Sequence, residues 1–420
     1  MDTERTDPKP SFGKQLGPGL ITGAADDDPS GIATYSQAGA QFGFQLLWTM
    51  ILTYPLMTAV QLVSARIGRV TGRGLASNMR DVLPRWILTT LVALLFVANT
   101  INIGADLAAM GDAAALVAGG GGHVFTIVFA VGSTLLQLFI PYHRYAAILK
   151  WLTLVLLAYV ALVLMVHVDW AAAGRGMVIP TIAGAGAVTT IVAIFGTTIS
   201  PYLFFWQSSQ EVEEIDGHDD EHALEDAPDE APRELGRIRI DTFVGMAVSN
   251  LVAIAIMIGT AATLNAAGKT DIATAADAAE ALKPVAGQFA FLLFALGIVG
   301  TGLLAVPVLA GSVAYAIGEA RGWRIGLERT PVEAPGFYAV IGTAMLLGIG
   351  IDWSPIDPIR ALFWSAVING VVAVPIMAVM MVVVSRRAIM AEFTAPMPLL
   401  VFGWAATAVM AAAAVAMFVL

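Results

Sequence analysis

Three consecutive carboxylates, Asp26, Asp27 and Asp28, stand in the middle of an apolar stretch and run directly into Pro29, Ser30 and Gly31. At the lipid-facing centre of a helix each acid costs about 2.5–3.5 kcal/mol on insertion scales, so three together demand compensation. Pro29 removes a backbone donor and clashes with the preceding turn, while Gly31 admits non-helical dihedrals. The chain is expected to unwind here and free carbonyl oxygens. A cation satisfies carboxylates and carbonyls at once. Successive helical residues point about 100° apart, so the three acids do not all face one ion. Asp28, beside the break, is the expected ligand. A second interruption reads Phe195-Gly196-Thr197-Thr198-Ile199-Ser200-Pro201-Tyr202, again glycine, proline and hydroxyls within an apolar stretch. With no cysteine, thiolate ligands and disulfides are excluded and the ligands are oxygen or nitrogen. The competing reading is that Pro29 and Pro201 only kink packed helices, with the aspartates facing one another or an arginine across the bundle. Their matching positions and the three acids favour a site.

The elements that hold these residues are membrane helices. Hydrophobic residues make up 58% of the chain and charged ones 13%, against about 25% charged in soluble domains. Apolar runs predict an all-α integral membrane protein of eleven spans, at 15–42, 44–66, 86–117, 123–141, 146–167, 180–208, 240–264, 284–317, 335–351, 359–384 and 394–419. The first and sixth spans carry the breaks. Five spans apart is an odd number, so the two halves, 15–167 and 180–384, would insert with opposite topology, as in an inverted-repeat transporter with its site at the midplane. The span at 394–419 follows them.

Arg66, Arg69, Arg73, Arg80 and Arg85 lie after span 2, and Arg144 with Lys150, then Arg321, Arg324 and Arg329, then Arg386 and Arg387 lie in later alternate loops. These loops are expected to be cytoplasmic, with the tail 1–14 inside and Leu420 outside. Met1 to Lys14 shows no secretory signal. The net charge of −10 comes from Glu211–Glu234, which holds twelve acids and one arginine, leaving 20 acids against 21 bases elsewhere. No basic patch argues for nucleic acid. The acidic loop 209–239, with Pro228 and Pro232, is expected to be a mobile cytoplasmic linker. Its His218-Asp219-Asp220-Glu221-His222 reads as solvated linker ahead of a cation buffer, since nothing nearby supplies a rigid cage. No nucleophile, base and orienter set suggests an enzyme.

Further motifs surround the breaks. Gly17-Pro18-Gly19 precedes Asp28-Pro29-Ser30-Gly31 by eight residues, and Ala33-Thr34, Ala38-Gly39-Ala40-Gln41-Phe42-Gly43 and Leu47-Trp48 follow. Ala65-Arg66, Val70-Thr71-Gly72-Arg73, Ala105-Asp106-Leu107-Ala108 and Ser200-Pro201-Tyr202 come later. Together they resemble the NRAMP family of divalent metal transporters over nearly the whole chain outside the acidic loop and the extreme amino terminus. The family's Asp-Pro-Gly-Asn motif falls on Asp28, Pro29, Ser30 and Gly31, and its Met-Pro-His on Ser200, Pro201 and Tyr202. The resemblance implies a LeuT-type 5+5 fold with alternating access, a metal held by Asp28, and backbone oxygen from Thr197. The departures carry information. Where the family has a soft thioether that favours transition metals, this chain has Ser200, a hydroxyl without that preference. Gly31 replaces a ligand side chain and leaves room, which suits Mg²⁺, an ion that dehydrates reluctantly. Family acids of helix 3 fall on Asn99 and Ala109, helix 6 histidines on Tyr202 and Gln207, and Gly336–Ile351 holds no arginine, so the proton relay is largely missing. The pattern resembles the NRAMP-related magnesium transporter branch.

The resulting expectation is facilitated Mg²⁺ and Mn²⁺ uptake by alternating access without proton coupling. Asp28 supplies charge, Thr197 a carbonyl and Ser200 a hydroxyl, while Asp27, Tyr202 and Gln207 meet the ion's waters. Gly31 gives space and Asn369 borders the site. Asp106 with Asn99 offers a polar path, and Asp106 reads equally as an interhelix partner. Asp112 and Asn250 are read as interhelix hydrogen-bonding groups, and Gly297, Gly300, Gly302 and Ala310-Gly311 as packing or hinge elements. The metal is substrate and no cofactor is expected. The partners are the cation and the bilayer, with no nucleic acid or obligate protein partner. The alternatives are a proton-coupled Mn²⁺/Fe²⁺ importer, an aluminium carrier of the same family, and an organic-solute symporter of the LeuT-type fold. Three aspartates disfavour an anionic solute.

Overall fold

The computed structural model describes residues 18–140, 144, 152–182, 184–217, 221–353 and 355–419. The expected tail 1–14, the start of the fifth span at 146–151 with Lys150, and His218, Asp219 and Asp220 lie outside the described residues.

The first span is two helices, α1 (Pro18–Asp26) and α2 (Pro29–Phe42). Asp28 is extended and caps α2, whose first residue is Pro29. Proline is favoured at that position because its missing N–H has no helical acceptor to lose. The sixth span repeats the device: α9 (Ala185–Thr198) stops, Ser200 is extended, and α10 (Pro201–Asp216) restarts at Pro201. Between them lie α3 (Trp48–Thr71), α4 (Leu75–Arg80), α5 (Arg85–Ala118), α6 (Gly122–Phe139), α7 (Leu157–Met165) and α8 (Trp170–Val178). The second half continues with α11 (Ala231–Thr260), α12 (Ala275–Glu280), α13 (Ala290–Arg321), α14 (Pro335–Ile351), α15 (Pro358–Ser385) and α16 (Met397–Val419).

Among the described residues, eight helices are each long and apolar enough to cross a membrane, counting the sixth span as one. The other three expected spans differ for identifiable reasons. The first is divided at its acids. The fifth ends at Met165, and α8 turns away by 120° within what was read as a loop. The ninth, α14, has 17 residues, at the lower limit for a crossing.

Pairing follows the expected repeat. The α1–α2 span packs on α11, the seventh span, and α10 of the sixth packs on α3, the second. Exchanging each span for the one five places on converts the first contact into the second. Both contacts are backbone-close. A Cβ on Gly23 would lie 2.5 Å from the Gly245 carbonyl, and one on Gly68 would lie 2.2 Å from that of Ser208. Without a hydrophobic driving force between helices in lipid, such small residues let backbones gain packing contact. Central α5 packs on both α13 and α15. Gly302 abuts Met110 and Gly311 abuts Trp206, in keeping with the packing reading of that cluster.

The acidic segment requires a correction. It was expected to be a mobile linker over 209–239, but residues to Asp216 belong to α10 and those from Ala231 to α11. The connection is docked. Leu224 and Glu225 donate their N–H groups to the carbonyls of Arg69 and Val70, and the Leu224 side chain is buried. Arg69, fully buried, meets Glu221 at 2.7 Å and Glu234 at 3.3 Å. Arg237 meets Glu211, Glu234 and Glu214 at 2.7, 2.9 and 3.2 Å. Glu211, Glu214, Glu221, Glu230 and Glu234 are gathered around two arginines, one of them outside the segment in α3. Composition of the segment alone concealed this.

Candidate metal centre

The break in the first span is positioned by its own cap. Asp28 Oδ1 accepts from the Ser30 hydroxyl at 2.6 Å and from the Gly31 N–H at 2.8 Å, which fixes the carboxylate against the start of α2. Its other oxygen accepts from Asn102 Nδ2 of α5 at 3.0 Å, and the same amide reaches Asp106 Oδ2 at 3.4 Å. Asn102 is held in turn by Ser365 of α15, whose hydroxyl donates to its Oδ1. With Oδ1 occupied, the amide presents its NH₂ to the two carboxylates. Thr197 closes the site from α9: its Oγ1 lies 3.5 Å from the Ser30 hydroxyl. A Cβ on Gly31 would stand 3.2 Å from that Oγ1 and 3.3 Å from the Tyr35 ring, so glycine here lets the two broken spans approach.

The remaining expected residues divide. Asp27 sits on the α11 side, where the Ser249 hydroxyl donates to it at 3.1 Å and to Asp26 at 2.7 Å. Tyr202 donates to the Ala25 carbonyl at 3.2 Å, joining α10 to the end of α1. Ser200 turns its hydroxyl back onto α9, donating to the carbonyls of Gly196 at 2.7 Å and Thr197 at 3.0 Å. Gln207 stands farther along α10, accepting from Thr22 and donating to Glu211 at 3.2 Å. Asn369 is buried, and neither of its amide atoms has a hydrogen-bond partner. Asn99 is committed elsewhere, donating to the Leu309 carbonyl and to Ser312 of α13, both at 2.9 Å.

Sequence reasoning missed Asn102, Ser365, Ser249 and Ser30. Asn102 was the most accessible, since it stands four residues before Asp106 and therefore on the same helical face. Ser365 and Ser249 gave no local signal, because a lone serine in an apolar span commonly bonds its own helix.

Asp26, Asp27, Asp28 and Asp106 are all buried. Among the described residues none of them pairs with Lys, Arg or His. The reading in which an arginine neutralises the aspartates therefore finds no such partner. Nor do any three carboxylate or imidazole groups there converge tightly enough to hold a metal ion by themselves. The arrangement offers one fixed carboxylate, a second across an amide, and surrounding hydroxyl and carbonyl oxygens. Such a set suits a hard cation that keeps part of its water.

Comparison with known proteins agrees with this architecture. The Nramp family, described as natural resistance-associated macrophage protein-like, matches residues 19–420. A divalent metal cation transporter MntH of Acidiphilium cryptum is 28% identical over 395 residues, covering 89% of this chain and 83% of its own. One from Yersinia pestis is 30% identical over 315 residues, covering 71% of each chain. The fold is shared with a manganese transporter of Eremococcus coleocola, with a TM-score of 0.77 at 16% identity over 97% of this chain and 87% of that one. It is shared more distantly with a nucleobase-cation-symport-1 family transporter in a closed conformation, with a TM-score of 0.54 at 14% identity over 96% and 92%. A helical, multi-pass membrane protein with two interrupted spans and a family match over nearly its whole length, this chain belongs to the Nramp family.

Proposed function

We propose that this protein carries divalent cations across the membrane by alternating access, with Mg²⁺ and Mn²⁺ as substrates and without an accompanying proton. The observation that carries the proposal is the buried Asp28, capped at a helix break and joined to Asp106 through Asn102, with no basic side chain among the described residues to balance either acid. A buried charge without a partner is costly, and a dication neutralises both carboxylates. The relatives named above as divalent metal cation transporters support the cation class. The preference for Mg²⁺ rests on the donor set. Asp28, Asp106, the Ser30 hydroxyl and the Thr197 hydroxyl are hard oxygens, the last taking the place of the expected Thr197 carbonyl, which accepts from Ser200, and Ser200 occupies the position where the family resemblance expects sulfur. Ser200 contributes a lone pair, because its proton is directed at its own helix. Asp27, Tyr202 and Gln207 meet the ion's waters by exchanging their bonds to Ser249, to the Ala25 carbonyl, and to Thr22 and Glu211.

A proton-coupled Mn²⁺ importer is the second reading. It is favoured by the Asn102 bridge, which connects Asp28 to an acid that could exchange a proton. Proteoliposomes separate the two. Wild type should admit Mg²⁺ and Mn²⁺ without luminal acidification, the two ions should compete, and Asp28→Ala should abolish uptake and binding of both. Metal-dependent acidification would establish the second reading, and full uptake by Asp28→Ala would remove the centre altogether.

A further inference from the structure

A cavity of about 690 Å³ opens where α4, the start of α5 and the end of α13 meet, and none of the residues at the two breaks lines it. Arg80, Arg85 and Arg321 line it, and among the described residues no carboxylate does. None of the three arginines has an ion-pair partner among the described residues. The nearby acids are engaged elsewhere: Asp81 pairs with Arg73 at 2.9 Å, and Glu319 accepts from the Ala76 N–H and from Ser209, both at 2.8 Å. The Arg321 guanidinium carbon lies 5.4 Å from the centre of the Trp323 ring, within cation–π range. Three like charges share one recess with no described side chain of opposite sign lining it.

The rest of the wall is apolar and has a direction. Leu88, Val92 and Phe96 continue from Arg85 along one face of α5 at spacings of three, four and four, and line the recess with Ile317 of α13. From Arg85 to Phe96 the helix rises roughly 16 Å, about half of a hydrocarbon core roughly 30 Å thick. Trp86 and Trp323 are exposed at the charged end, at the level where amphipathic aromatics mark the interface. This is also the end that the arginine bias assigns to the cytoplasm.

We infer that this recess is a binding site for an anionic glycerophospholipid of the inner leaflet. The phosphodiester sits among Arg80, Arg85 and Arg321, and an acyl chain lies along Leu88, Val92 and Phe96. Basic pockets between membrane helices recognise such headgroups, and bidentate guanidinium donors match phosphate oxygens. The apolar stripe distinguishes a lipid from free phosphate, which would fill only the charged end.

Thermal unfolding of the purified full-length protein in phosphatidylcholine micelles tests the site. Added phosphatidylglycerol should raise the wild-type midpoint saturably, while inorganic phosphate at equal concentration should not. In Arg80→Gln/Arg85→Gln/Arg321→Gln the apparent phosphatidylglycerol affinity should fall by about fivefold per arginine removed, from about 1 kcal/mol per basic residue near an anionic surface. Val92→Trp, which fills the apolar stripe and leaves the arginines in place, should also lose the shift. That variant serves if the triple substitution does not fold. Equal shifts in wild type and in either variant, or an equal shift with inorganic phosphate, would overturn the inference.

Discussion

Asn102 illustrates how one neutral side chain can govern a charged site. Its amide donates to Asp28 and Asp106 while accepting from Ser365, so three helices set the position of one carboxylate. Partners that orient a metal ligand typically contribute 10–100-fold to affinity. Asn102→Ala is therefore expected to weaken Mn²⁺ binding by about that factor while leaving Asp28 in place, as read by isothermal titration on the purified protein. Ser200 makes the complementary point about selectivity. A thioether introduced at this position adds a soft donor and removes the hydroxyl that ties Gly196 and Thr197 together. Ser200→Met should raise Cd²⁺ and Mn²⁺ uptake relative to Mg²⁺ in competition assays. An unchanged ratio would mean that residue 200 does not face the ion.

Between elements, the same proline-initiated restart occurs twice, and each broken span is clasped by a neighbour. Next to the second break, Gly196 lies so close to α15 that a Cβ would stand 1.9 Å from the Ala366 carbonyl. At the arginine-rich end a chain of polar contacts runs from Thr22 through Gln207 and Glu211 to Arg237, linking α1 to α10 and α11. Arg69 ties α3 to the connection after α10 and to α11. Its side chain is fully buried and is the cation Glu221 meets at 2.7 Å, so removing it takes that partner from Glu221, while Glu234 keeps Arg233 and Arg237. Breaking such a pair costs about 3–5 kcal/mol. Arg69→Met should thus lower the thermal midpoint of the purified protein clearly, and Glu221→Gln added to it should restore part of the loss. Full retention of stability by Arg69→Met would show that the ion pairs are solvated and weak.

For the whole molecule, the proposed uncoupled transport of a dication would take its driving force from the membrane potential. Each charge is worth about 2.3 kcal/mol per 100 mV, so a divalent ion gains about twice that. Potassium-diffusion potentials, negative inside, imposed on proteoliposomes should accelerate Mg²⁺ uptake. Collapsing a pH gradient at constant potential should leave the rate unchanged. The inverse pattern would assign the driving force to protons.

Much of this was legible in the sequence, because insertion into a bilayer imposes strong local rules. Apolar length sets the spans, and Asp-Pro and Ser-Pro within such spans set the breaks, since proline forbids the preceding helix from continuing and lipid forbids unpaired acids. The five-span separation of the breaks carried the repeat. What no local rule could supply was who meets whom across the bundle. Asn102, Ser249 and Ser365 become site residues only when α5, α11 and α15 pack around the breaks. Asn99, of similar chemistry one turn before Asn102, is turned to α13 instead. The acidic segment looked disordered because its counter-charge Arg69 lies more than a hundred residues earlier. Composition and periodicity report what a residue prefers over a few turns, whereas burial of a charge is settled by partners distant in sequence, and only the folded chain brings those together.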